Sequence, residues 1–150
     1  MGTQQTPSFD PLTLEVVDLI GTVVARYHEE YEDAAAEHAL TGAQARLLSL
    51  LSLEPLPMRR LAQRLKCEPS NVTGIVDRLE ARGLAERRPD PSDRRVKLAA
   101  ATEEGRRVAR SLRLSLRFAR EPLATLSREE RMSLRELLLR MLDEPTGAGA

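Results

Sequence analysis

At 150 residues the chain suits one domain with a real core, and with 41% hydrophobic but only 3% aromatic residues that core must be Leu, Val and Ala, as packed helices use. No apolar run is long enough to span a membrane, "MGTQQTPSFDP" lacks the basic and apolar regions of a secretory signal, and the lone Cys67 cannot form an internal disulfide, so a reducing cytoplasm is expected. The net charge of zero conceals sorting: residues 1–56 carry two basic against nine acidic side chains, 57–97 carry eleven against six, and 98–150 carry ten against eight.

Asp10-Pro11 reads as a helix start, a capping aspartate before a proline at the first helical position. Val17, Ile20, Val24, Tyr27 and Tyr31 then recur at steps of three and four, predicting an amphipathic helix to about residue 37. Its opposite face is acidic, with Glu29, Glu30, Glu32, Asp33 and Glu37. "TGAQ" (41–44) has the form of a capping box and opens a helix through Leu47, Leu48 and Leu51, which the prolines of "EPLP" (54–57) end. "MRRLAQRLK" (58–66) sets Met58, Leu61, Ala62 and Leu65 on one face of a short helix. After a tight turn, "EPSNVTGIVDRLEARG" (68–83) presents Val72, Ile75, Val76 and Leu79 on one face and ends at Gly83. The pair predicts a helix-turn-helix. "RRPDPSDRRVKL" (87–98) follows as a hairpin, its turn formers Pro89, Asp90, Pro91, Ser92 and Asp93 placing Arg94 and Arg95 at the tip. Thr102 caps a further helix expected to reach Glu121-Pro122, with Val108, Leu112, Leu116 and Ala119 inward. A last helix opens at Ser127 and carries Met132, Leu134, Leu137, Leu138, Met141 and Leu142.

The helix from Pro69 to Arg82 points to a function. At about 100° per residue, Ser70, Gly74, Asp77 and Ala81 stand opposite its apolar face, with Thr73 on one flank and Asn71 and Arg78 on the other. Such small, hydrogen-bonding side chains suit the DNA major groove. A mid-helix glycine costs about 1 kcal/mol relative to alanine, and Gly74 lets the backbone approach closely whatever the helix meets. Asp77 repels phosphate, and is expected either to accept from a cytosine amine or to hold Arg78 or a hairpin arginine. An ordinary solvated helix pair has the same short pattern. The hairpin favours DNA, because arginines on a stiff tip can enter a narrow minor groove, with Asp93 expected to hold their guanidinium groups in a fork. Arg88 is counted with this basic set. The dull alternative for the hairpin is an edge shielded by charge against aggregation.

"LTGAQARLLSLL", "MRRLAQRLKCEPSNVTGIVDRLEARGLAERRPDPSDRRVKL" and "TEEGRR" resemble, in order and spacing, the MarR family of multiple-antibiotic-resistance regulators. The resemblance covers residues 10–143 and is most specific from 58 to 107. It implies a mainly α fold with a small β-hairpin wing, a winged helix-turn-helix forming a homodimer through its N- and C-terminal helices. Residues 10–38 and 102–143 would be the dimerisation helices and 41–101 the DNA-binding lobe of this single domain, with recognition helix 69–82 and wing 84–100. Carried over by position, Ser70, Asn71, Thr73 and Gly74 face base edges, Arg78 reaches a base or phosphate, and Arg94 and Arg95, braced by Asp93, enter the minor groove. The chain departs from the family pattern at three points: Lys66 stands where glycine is frequent, straining the turn; Ala101 replaces a leucine, thinning the packing under the wing; and the first helix lacks the cysteine that peroxide-detecting members use. Cys67 is expected to be inert packing and not a redox sensor.

The family resemblance also implies release from DNA by small phenolic or other anionic effectors held between the dimer helices and the winged lobe. Tyr27, Tyr31, His38, Arg46 and Phe118 are the candidates to line such a pocket, although each also suits plain core or surface. Arg106, Arg110, Arg113, Arg117 and Arg120 form a basic stripe readable as a solvated face, as a partner of the acidic first helix, or as a contact to flanking DNA. His28 and His38 lack metal-ligand spacing, and no nucleophile, base and orienting group come together, so neither a metal, a cofactor nor an enzyme is expected. The sequence thus reads as a dimeric regulator, a repressor on a pseudo-palindromic operator in double-stranded DNA. Its rival is a winged-helix protein-interaction module that has lost DNA binding.

Overall fold

Asp10 accepts a hydrogen bond from the Thr13 backbone N–H at 2.9 Å and opens α1 (Pro11–Ala36), as the Asp-Pro pair predicts. The computed structural model describes residues 9–117 and 121–142, which fall into two compact units, one ending at Ser115 and the other starting at Leu116. In the first unit α1 leads to α2 (Gly42–Leu51), where Thr41 and Gln44 make both bonds of the expected capping box. A two-residue strand, β1 (Leu56–Pro57), precedes α3 (Met58–Leu65) and α4 (Pro69–Ala81). The hairpin β2 (Ala85–Pro89) and β3 (Lys97–Ala101) follows, and α5 (Glu103–Ser115) closes the unit.

The strand order is β1-β3-β2, all antiparallel, with Leu56 opposite Ala99 on one side and Arg87 opposite Ala99 on the other. The prolines of 54–57 follow the end of α2, as the sequence predicts. They also leave Leu56 extended at a sheet edge, where Pro57 gives up no ladder bond that matters. The core lies between this sheet and the helices. Leu47 and Leu48 of α2, Leu61 of α3, Val72, Val76 and Leu79 of α4 and Leu112 of α5 are fully buried, each such side chain stabilising by about 1.5–3 kcal/mol. Ala99, Ala100 and Ala101 are buried as well, so the sheet offers these helices a shallow surface.

One knot joins the pieces. The Thr102 backbone N–H donates to the Leu84 carbonyl at 3.1 Å, its hydroxyl donates to the Gly83 carbonyl at 2.6 Å, and its oxygen accepts from the Gly105 N–H at 3.0 Å. Gly105 sits so close that a Cβ there would lie 1.9 Å from the Leu84 carbonyl oxygen. Small Ala101 and bare Gly105 thus fill by close approach the space that sequence reading expected to be thin.

Two helices end in the same backbone motif with different residues. Gly83 (φ +71°) follows α4, with Leu84 N–H bonded to the Leu79 carbonyl at 2.9 Å. Lys66 (φ +53°) follows α3, with Cys67 N–H bonded to the Ala62 carbonyl at 3.1 Å, which bears out the strained turn expected there. The helix opened by Thr102 stops at Ser115, short of the Glu121-Pro122 end expected. Pro122 instead stands at the second position of a separate short helix, α6 (Glu121–Ala124), where proline begins helices well. The expected inward Ala119 lies outside the described residues, and Ala109 is buried alongside Leu112.

The second unit holds α6 and α7 (Arg128–Leu142), the latter capped by reciprocal Ser127–Glu130 bonds at 2.7 and 3.1 Å. None of its α7 residues is buried. No described helix is long and apolar enough to cross a membrane.

The two crowded glycines give a paired prediction. Gly105→Ala forces backbone apart and should lower unfolding free energy by about 1–3 kcal/mol. Gly42→Ala meets only the flexible Glu32 carboxylate, 2.1 Å from the built Cβ, and should cost less than about 1 kcal/mol despite disturbing the Gly42 N–H bond to Glu32. Urea denaturation of both variants checks the order; equal losses would refute the knot.

Candidate nucleic-acid interface

The apolar stripe of α4 fixes its outward face. With Val72, Val76 and Leu79 buried, Ser70, Asn71, Thr73, Asp77 and Arg78 are exposed together, and Gly74 is half-buried between them. Ile75, expected inward, is half-buried at the margin of that core. A Cβ built on Gly74 meets nothing within 4 Å, so the notch it leaves opens outward. Thr73 donates its hydroxyl to the Pro69 carbonyl at 3.2 Å, which leaves its oxygen able to accept. An open groove of about 840 Å³ between α3 and α4 is lined by Arg59, Gln63, Lys66, Asn71 and Thr73 among others.

Asp77 has a clear structural job. Its carboxylate accepts from Arg87 of β2 at 2.6 Å, and Glu80, one turn on, also binds that guanidinium. This matches the expectation that Asp77 holds a hairpin arginine, and the arginine is one that sequence reading passed over. Partial burial works against the Arg87 charge, but the bonds to Asp77 and Glu80 outweigh it and raise its pKa above the ordinary arginine value. The wing is thereby braced on the recognition-helix candidate by a two-carboxylate fork. Strand alternation was the missed signal: Arg87 shares a face with buried Ala85, whereas Arg88 points the other way. Arg88 is exposed and lies 3.4 Å from Glu86.

At the tip the expected fork forms only in part. Asp93 accepts from the Arg95 backbone N–H at 3.1 Å and makes a long ion pair with the Arg95 guanidinium at 3.9 Å, while Arg94 has no side-chain partner among the described residues. An aspartate two residues before an N–H closes a local turn more readily than it grips a long neighbouring side chain. Asp90 does the same at the other side, accepting from the backbone and hydroxyl of Ser92 at 2.9 and 2.8 Å, and these bonds hold its carboxyl below the usual pKa. The carboxylates stiffen the loop and leave Arg94 and Arg95 reaching into solvent.

A second feature flanks this lobe. A cleft of about 580 Å³ is lined by Tyr27, Tyr31, Arg46, Arg64, Lys66 and Arg113, with Ser49, Leu50, Leu53 and Leu65. It brings together three of the five expected effector residues. His38 is not among its lining residues; its carbonyl instead accepts from Arg82 at 2.8 Å, beside the Ala39 carbonyl at 2.9 Å. Phe118 lies outside the described residues. The rings of Tyr27 and Tyr31 meet edge to face at 5.0 Å. Burial, with Tyr31 adding to it and Arg46 opposing, pushes the Tyr27 hydroxyl up to about 12, so it is neutral at physiological pH. Among the described residues no carboxylate lines the cleft, although four cations do. Arg64, Lys66 and Arg113 were missed for this role because the end of α3 and the last turn of α5, far apart in sequence, supply them. Two members of the basic stripe are tied down: Arg106 donates to the Ala101 carbonyl at 2.9 Å and Arg113 to the Ser52 hydroxyl. Arg120 lies outside the described residues. Cys67 is half-exposed, not buried. No group of three His, Cys, Asp or Glu suited to a metal occurs among the described residues.

Known proteins resemble this chain in sequence and fold. The sequence profile of the MarR family matches residues 39–96. The chain is 29% identical to the HTH-type transcriptional repressor NicR of Pseudomonas putida, over 99% of its own length and all of the repressor's. A MarR-family transcriptional regulator from Rhodococcus sp. RHA1 superposes with a TM-score of 0.75 at 28% identity, covering 92% of this chain and 100% of that one. CouR from Rhodococcus jostii RHA1, solved bound to p-coumaroyl-CoA, superposes with a TM-score of 0.72 at 28% identity over 93% and 96% of the two chains. From α2 to the wing tip, profile, fold and geometry agree, and the chain belongs to the MarR family of transcriptional regulators.

Proposed function

We propose that the protein is a homodimeric, sequence-specific repressor that places α4 in the major groove and the wing tip in the adjacent minor groove of a pseudo-palindromic operator, and that an aromatic anion releases it. The observation that carries this reading is the Arg87 brace: one fork holds wing and helix together, so both probes meet DNA as a single body. Ser70, Asn71, Thr73 and Gly74 take the base edges, Arg78 and Arg88 the backbone, and Arg94 and Arg95 the minor groove. Asp77 serves by positioning Arg87, and Asp93 by shaping the tip. The resemblance to NicR supports repression.

Dimerisation follows from surfaces that water does not favour. On α1, Leu12 (67% exposed), Leu14, Val17 and Leu19 stand in solvent, and on α7 so do Met132, Leu137 (53%), Leu138 and Met141. Apolar faces of that extent belong against a partner, and a second copy of the chain supplies matching ones. For the effector, two tyrosines and three leucines beside four cations that have no ion pair among the described residues suit a flat acid, and p-coumaroyl-CoA in CouR is a ligand with both aromatic and anionic parts.

Three measurements test the proposal. The Arg94→Ala/Arg95→Ala pair should weaken binding to selected genomic fragments by about 1–3 kcal/mol per arginine with helicity unchanged; fluorescence anisotropy that shows no loss would return the winged lobe to a protein partner. Gly74→Ala should raise the melting temperature, since helix propensity improves by about 1 kcal/mol, while lowering operator affinity. A variant that gains stability and binds DNA as before would remove α4 from the groove. Val17→Glu and Leu137→Glu place charge where a monomer already meets water, so they should leave the fold intact and yield monomers by sedimentation; persistent dimers would move the interface elsewhere.

A further inference from the structure

Lys66 joins two cavities that no other single side chain connects among those lining them: it lines the open groove between α3 and α4 and also the tyrosine cleft. It does so from a left-handed backbone position, φ +53°. At the end of α4 the same motif is filled by Gly83, which adopts φ +71° without penalty. A lysine held where glycine fits better is an outlier that points toward a task for its side chain. Its ammonium has neither a hydrogen bond nor an ion pair among the described residues. Around it, the groove presents Arg59, Gln63, Asn71 and Thr73, while the cleft presents Arg46, Arg64 and Arg113. Among the described residues Glu68 is the one carboxylate lining the groove, and the cleft has none.

We infer that Lys66 is a shared anion site: its ammonium binds a DNA backbone phosphate on the groove side and the carboxylate of an aromatic acid on the cleft side. The inference rests on reading the cleft as an effector site and adds how occupancy there opposes DNA. A single ammonium carries one positive charge on one flexible stem, so turning it toward an anion on one side takes it out of reach of an anion on the other. When the acid takes it, the phosphate contact is lost, and when DNA takes it, the acid loses a partner. By linkage the two penalties are equal: the factor by which acid weakens DNA is the factor by which DNA weakens acid. No movement of α4 is needed for this part of the response, because the competition is over one side chain.

The test separates charge from backbone. Lys66→Gly keeps the left-handed turn and deletes the ammonium; Lys66→Asn, which also tolerates that conformation, is the second uncharged variant; Lys66→Arg retains charge. Titration calorimetry with benzoate, 4-hydroxybenzoate and 6-hydroxynicotinate reads the cleft. Anisotropy with a random-sequence duplex at several salt concentrations reads the phosphate contact, which is independent of sequence. In the uncharged variants, acid affinity should fall about tenfold, the salt slope on DNA should drop by about 1, and the mutual weakening of acid and DNA should shrink toward none. Lys66→Arg should restore all three. Acid binding and coupling unchanged in Lys66→Gly and Lys66→Asn would reduce Lys66 to a turn residue and leave the effector cleft standing. If the native protein binds none of the acids, the cleft reading fails, and the shared site with it.

Discussion

The close approach of Gly105 to Leu84 is the constraint on which the winged lobe turns. Four elements meet there: α4 has just ended, β2 begins, β3 ends and α5 starts. Thr102 makes three bonds there, two across the junction to carbonyls that follow α4 and one that caps its own helix. Any side chain at 105 would pry apart backbone that has no slack, because protein interiors are packed to crystal-like density. The path of the hairpin is therefore set at its base. Arg87 sets it again further out, through Asp77 and Glu80. Two anchors define a rigid arm; one would leave a hinge.

The acidic side chains of this lobe are used mainly on structure. Asp77 and Glu80 face Arg87, Asp90 and Asp93 close turns at the tip, and Glu86 lies beside Arg88. What remains for an outside partner is positive: Arg78, Arg94 and Arg95 on the α4 and wing side, Arg59 and Lys66 in the groove. A balance of eleven basic to six acidic residues between 57 and 97 understates the field there, because several of the acids are engaged in shaping the scaffold.

Much of this was legible beforehand, and the reasons differ by element. Helix starts were readable because Asp10-Pro11, Thr41–Gln44 and Ser127–Glu130 act through bonds three residues apart. The face of α4 was readable because a 3.6-residue period leaves few choices once Val72, Val76 and Leu79 go inward. The end of α5 was not, since Pro122 reads equally as a stop or as the start of the next helix. β1 was not, since two residues carry no period. Arg87 was passed over because its partners lie seven and ten residues away, and the tip aspartate was assigned to side chains when backbone was nearer. The cleft was half legible: Tyr27, Tyr31 and Arg46 lie on consecutive helices, whereas Arg64, Lys66 and Arg113 join them only through tertiary folding.

Arg82 carries a consequence for the choice of DNA. At the end of α4 it donates to the carbonyls of His38 and Ala39, where α1 gives way to α2. The proposed recognition helix is thus fastened at its far end just beyond the helix whose exposed apolar half faces a second copy in the proposed dimer. In such an assembly the angle at which the two α1 helices cross becomes the separation of the two α4 helices. Spacing between half-sites is then a property of the dimer interface, far from any base. A family member could change which operator it accepts by repacking α1 alone, keeping every groove-facing residue, and two paralogues with identical α4 sequences would still sort between promoters by the number of base pairs separating the arms of the palindrome.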